Sequence, residues 1–137
     1  MTKQISPHAT LHPSHWKPAK GYANGVAAEG RLIFVAGQIG WNAEQKFESD
    51  DFVAQTRQAL ENIVAVVREA GGGPEHITRL TWYVTDKQEY LRRRGEVGEA
   101  YRGVLGRYFP AMTMVEVKAL MEDGAKVEIE ASAVVPK

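Results

Sequence analysis

Residues 110–120, PAMTMVEVKAL, and residues 125–135, AKVEIEASAVV, alternate apolar with polar side chains on either side of Glu122, Asp123 and Gly124. Alternation with a period of two is the mark of a β-strand, and an acidic residue followed by glycine marks a turn, so the stretch reads as a hairpin. A two-residue Asp-Gly loop would set Val117 opposite Glu130 and mix apolar with charged groups. A three-residue loop with Gly124 left-handed sorts them instead. One face then carries Thr113, Val115, Val117 and Ala119 beside Val127, Ile129, Ala131 and Ala133, which is what a sheet offers to helices packed upon it. The other carries Met112, Met114, Glu116 and Lys118 beside Glu128, Glu130, Ser132 and Val134, with Glu116 directly across from Glu130. Opposed carboxylates repel, so one should hold its proton more tightly where water is partly excluded. That makes this face a candidate site, against the plainer reading of a solvated strand face.

Upstream, residues 1–20 hold Pro7, Pro13 and Pro18 with His8, His12 and His15 and little periodicity, and are expected to form an irregular arm. Pro13 opposes a helix that would align His12 with His15, and no carboxylate lies nearby in sequence, so no metal is expected there. Residues 22–28 and 31–38 read as two strands around Glu29-Gly30, a hairpin signal. The second, with its apolar LIFVAG run, suits a central strand. Gly37-Gln38-Ile39-Gly40-Trp41 then gives a glycine-punctuated strand end, where a ligand or another backbone can come close.

Between Asp51 and Ala70 the apolar residues recur every three or four positions, the period of an amphipathic helix, and Gly71-Gly72-Gly73-Pro74 ends it. Residues 77–85 are β-rich. Asp86-Lys-Gln-Glu89 has the spacing of a capping box, opening a second helix that is expected to run to about Tyr108. Within it Arg92-Arg93-Arg94 reads as a solvated face offset by Glu89 and Glu96. The order ββαβαββ implies an α+β two-layer sandwich, with two helices on one face of a mixed sheet. The face left bare must meet water or another subunit, and the Met112/Met114 pair favours a subunit, because flexible thioethers suit adaptable interfaces.

The 137 residues are one domain's worth, enough to bury about two-thirds of the unfolded chain's surface. Lysine plus arginine and aspartate plus glutamate stand at 17 each, so no sustained positive field draws phosphate backbones or anionic membranes, and nucleic acid is not a favoured partner. With no cysteine, disulfides, thiolate nucleophiles and thiolate metal sites are excluded. No apolar run reaches spanning length and no signal-peptide core is evident, so a cytoplasmic protein is expected.

The runs LIFVAGQIG, QTRQALENIVAVVREAGG, ITRLTWYVTD, FPAMTMVEV and KVEIEASAV together resemble the RidA/YjgF (L-PSP) family of reactive-intermediate deaminases, across nearly everything after residue 20. The resemblance implies a chorismate-mutase-like fold over residues 21–137 and a homotrimer built on the helix-free sheet faces. It also implies inter-subunit clefts that hydrolyse enamines and imines to carbonyl compounds and ammonia without metal or cofactor. Carried over by position, it offers Tyr22 and Glu130 as catalytic residues and Gly37 as a backbone binding position. Met112 and Met114 stand where relatives have a carboxylate-gripping arginine and often a cysteine; with Glu116 they are the expected ligand contacts. Methionine can neither donate nor carry charge. The retained cleft should therefore take a less acidic or more apolar ligand, with His12, His15 or Arg57 as candidate replacement anchors. A non-catalytic metabolite binder is the alternative function, and an endoribonuclease a less favoured one.

Overall fold

The computed structural model describes residues 6–137. Its elements are β1 (Ala9–Leu11), β2 (Gly25–Ala27), β3 (Arg31–Ile39), α1 (Phe52–Glu69), β4 (Ile77–Val84), α2 (Lys87–Arg92), α3 (Arg94–Leu105), β5 (Ala111–Glu116) and β6 (Val127–Val135). The fold is the expected α+β class, a mixed four-stranded sheet in the order β3-β6-β4-β5 covered on one face by helices. Its topology departs from the expected one in two places.

First, β5 and β6 are not a hairpin. Strand β4 lies between them, antiparallel to β6 and parallel to β5. Parallel neighbours need a crossover of a dozen or more residues, which α2 and α3 supply between β4 and β5. Gly124 does take a positive φ of 89°, but it ends the long 117–126 connection rather than a tight turn. Gln55, fully buried in α1, fixes that connection: its Nε2 donates to the Gly124 and Ser49 carbonyls at 2.9 and 3.1 Å, and its Oε1 accepts from the Lys126 N–H at 2.8 Å.

Register decides which way the methionines face. Met112 pairs with Leu80 and Met114 with Trp82, both core residues under the helices. Cross-strand partners share a face, so Met112 and Met114 point to the helix side, opposite to the expectation. Thr113 and Val115 pair with Thr81 and Tyr83 on the bare side. Strand β6 reads as expected, with Val127, Ile129, Ala131 and Ala133 all buried. Glu116 is not across from Glu130, whose partner is Thr81. Its carboxylate accepts from the Lys87 N–H at 2.8 Å, at the start of α2.

Second, the strand before Gly30 does not pair with β3. Strand β2 pairs with β1, Ala9 facing Ala27, so the arm contains a strand rather than being irregular throughout. Strand β3 pairs instead with β6, through a bulge between Val35 and Gln38. Past the bulge, Asn62 of α1 donates from Nδ2 to the carbonyls of Ile39 and Trp41 at 3.1 and 2.9 Å, which holds the Gly37–Trp41 strand end against the helix.

The predicted second helix breaks at Arg93, whose φ of −113° and ψ of 22° separate α2 from α3. Asp86 caps α2 as expected, accepting from the Glu89 N–H at 3.1 Å. Arg93 is no solvated residue. Its guanidinium donates to Asp51, the N-cap of α1, at 2.6 Å and to Glu96 at 2.8 Å. That arginine holds the carboxyls of Asp51 and Glu96 below their usual range. Both partners are substantially exposed and screened by water, so Arg93→Ala should lower the urea midpoint only slightly at neutral pH. A carboxylate with a depressed folded pKa stabilises above its unfolded pKa and loses that contribution as pH falls through the folded one. The gap between variant and wild type should therefore close below about pH 4.

Candidate functional site

Two concavities flank the sheet, one on each side. On the helix side, α2, α3 and the β4–β5 edge enclose a cavity of about 360 Å³. Trp82, Tyr101 and Phe109 form one wall as a run of rings, with centroids 6.4 Å apart for Trp82–Tyr101 and 5.7 Å for Tyr101–Phe109. Tyr101 is fixed by its hydroxyl, which donates to the Tyr108 carbonyl at 2.5 Å, and burial pushes its pKa up. Met112 and Met114 line the sheet side of the cavity, and Lys20, Gly21 and Tyr22 reach it from the N-terminal segment. That segment is anchored at the sheet edge, where the Ala23 N–H donates to the Pro110 carbonyl at 2.9 Å.

Trp82 Nε1 is the one buried side-chain polar atom without a partner among the described residues. Leaving such a donor unpaired costs about 1–3 kcal/mol. A Trp82 indole on a cavity wall thus carries an unmet hydrogen-bonding capacity.

On the opposite side, Phe34, Arg79, Thr81, Tyr83, Glu130 and Ser132 line a shallow depression of about 420 Å³. The Tyr83 hydroxyl donates to Glu130 at 2.6 Å, and this bond to a neighbouring carboxylate raises the Tyr83 pKa. Glu128, two residues along β6, shares that face. It stands against Gly37: a Cβ built on Gly37 would lie 2.0 Å from Glu128 Oε2 and 2.9 Å from its Cδ. The Glu128 side chain thus occupies the space that a side chain at position 37 would take.

The expected site residues separate into two groups. Tyr22, Met112 and Met114 share the cavity on one side of the sheet, whereas Gly37 and Glu130 lie on the other. Glu116 lines neither concavity, because its carboxylate is spent on the first turn of α2. The candidate anchors also lie elsewhere. His12 donates from Nε2 to the Trp16 carbonyl at 3.2 Å, while His15 and Arg57 are absent from the cavity lining. The cations that do line it are Lys20, Arg94 and Arg102. From the sequence, Arg94 reads as part of a solvated run, Arg102 is not singled out, and Glu128 falls on the bare face without being selected; the signal for Glu128 is the glycine on the facing strand.

The profile of the family described as Endoribonuclease L-PSP matches residues 13–135. The chain belongs to that family, whose members also carry the names RidA, RutC and YjgF. A 2-iminobutanoate/2-iminopropanoate deaminase of Escherichia coli is 36% identical over 113 residues, covering 82% of this chain and 86% of that protein. Protein DfrA of Myxococcus xanthus is 37% identical over 119 residues, covering 82% and 84%. Among solved structures, a Rid-family protein of unknown function from Yersinia pestis superposes with a TM-score of 0.79 at 30% identity, covering 93% of this chain and 98% of that one. A YjgF-family structure from Mycobacterium tuberculosis matches at a TM-score of 0.63 and 40% identity, covering 84% and 87%. In this RidA-family chain no helix among the described residues is long and apolar enough to cross a membrane.

Proposed function

We propose that this RidA-family chain assembles as a homotrimer through its bare sheet face, and that it hydrolyses a small imine or enamine in clefts between subunits. Each cleft would join the cavity of one subunit, with Tyr22, Met112 and Met114, to the Gly37, Glu128 and Glu130 surface of the next. The observation that carries this reading is the apolar surface no helix covers, where Phe34 is 79% and Leu32 66% exposed. Apolar side chains gathered on an uncovered sheet face mark an interaction surface. The relatives named as 2-imino acid deaminases in Escherichia coli and Salmonella typhimurium support the choice of a C=N bond.

In this reading a water molecule adds to the imine carbon while a carboxylate removes its proton. The nitrogen takes up a proton, the resulting carbinolamine collapses, and ammonia leaves as the C=O bond forms. Oxidation states do not change, and a base with a proton donor is sufficient. Glu128 suits the base, since its carboxylate meets a backbone strand end at Gly37 and makes no hydrogen bond among the described residues. Glu130, tied to Tyr83, would hold that face in place, and Tyr22 would orient the substrate from the neighbouring cavity.

The balanced charge of the chain supports a small metabolite over RNA, despite the family's nuclease description. It also suits the cytoplasm. The deciding experiment incubates purified protein with freshly generated imines of varied side chain and times ammonia release, with acceleration over buffer expected. No acceleration across the series would overturn the hydrolase. Met112, at the position where the family resemblance implies an arginine, favours a second reading as a metabolite binder, for which ligands would raise the melting temperature without turnover.

A further inference from the structure

We infer that Arg94 and Arg102 of α3 form a charged grip at the helix-side cavity, and that the ligand is a carboxylate bearing an aromatic body. This rests on the reading that the helix-side cavity receives the ligand. The cavity is lined by three cations, Lys20, Arg94 and Arg102, and by no carboxylate. On the same helices Arg93 is held by Asp51 and Glu96, whereas the side chains of Arg94 and Arg102 have neither ion pair nor hydrogen bond among the described residues. Two unpaired guanidiniums at one cavity give a local positive potential in an otherwise neutral chain.

Arg102 is placed for this role. The link 106–110 is all that separates α3 from β5, so the last turn of α3, which carries Arg102, is returned to the start of β5 near Met112. Its guanidinium lies over Gly98, where an added Cβ would come within 3.0 Å of Nη1. Glycine disfavours a helix interior, and at position 98 its absent side chain leaves room for that guanidinium. A planar guanidinium grips a carboxylate through paired charged hydrogen bonds.

The rest of the lining selects the body of the ligand. Trp82, Tyr101 and Phe109 give a continuous aromatic wall, and the two methionines are soft partners for a ring. A volume of about 360 Å³ lies within the range of small-molecule sites and exceeds what a two- or three-carbon acid fills.

Calorimetric titration of the full chain with phenylacetate, phenylacetamide and acetate tests this. Phenylacetate should bind about tenfold or more tightly than either the neutral amide or the small acid. The double variant Arg94→Gln/Arg102→Gln, altered only at exposed positions, should lose that preference and bind phenylacetate no more tightly than phenylacetamide. Undetectable phenylacetate binding by wild type, equal affinity for the amide, or a double variant that keeps the preference would each overturn the inference. Imine turnover is measured separately, so a protein that binds with this pattern but hydrolyses nothing refutes the hydrolase alone. One that hydrolyses imines with no change in the double variant refutes the anchor alone.

Discussion

Phe34→Glu should lower the mass seen by light scattering from that of the proposed trimer, three times 15.2 kDa, to 15.2 kDa. Phe34 projects from β3 beside Ser132, on the sheet face opposite the helices, and is the most exposed residue of its strand's apolar set. Burying such a ring contributes about 1.5–3 kcal/mol per copy, and a carboxylate put in its place would have to be desolvated without a partner. Each subunit of a closed ring repeats that penalty, so association should fail outright rather than weaken. The side chain makes little contact within its own subunit, so the monomer should remain folded, with a circular dichroism spectrum unchanged. Imine turnover should vanish with the trimer. A variant that stays trimeric would refute the proposed contact face.

Glu128→Gln should lower imine turnover by about 10²–10⁴-fold, or about 3–5.5 kcal/mol of barrier. Glutamine keeps the shape that fills the space beside Gly37 but cannot accept a proton, so melting temperature and trimer mass should hold while kcat falls. Glu130→Gln is the informative partner. Its amide oxygen still accepts from the Tyr83 hydroxyl, and turnover should change little. The opposite ranking, with Glu130→Gln the damaging change, would transfer the base to Glu130 and end the assignment made from Gly37.

The fold was legible where one element's pattern is sufficient to specify it. The spacing from Phe52 to Val67 defines α1, and Val127, Ile129, Ala131 and Ala133 give β6 its buried face. What alternation cannot supply is the identity of the neighbour. Strands β5 and β6 both alternate because both flank β4, and the same pattern is satisfied by a hairpin. The clue was connection length, since the helices after Asp86 already meet the need for a parallel crossover. Mispairing β5 inverted its faces and put Met112 and Met114 on the bare side.

The site was legible in part for a related reason. Tyr22, Met112 and Met114 follow from the family resemblance and do share a cavity, while VEIEA contains two glutamates on one face: Glu130, which the resemblance offers, and Glu128, which stands against Gly37. Arg94 and Arg102 were hidden within charge balance. Glu89 and Glu96 look able to neutralise the whole arginine run, yet their geometry serves Arg93, at the break between helices.

The sheet itself stands between the two halves of the proposed site, so no single subunit can own a complete one. Two individually dead proteins should then rescue each other. Glu128→Gln spoils one side of a cleft, and Met112→Trp, which fills the cavity, spoils the other. If the two are unfolded together in equal amounts and refolded, every mixed ring contains one junction with both sides intact. Random assortment then returns about a quarter of wild-type activity.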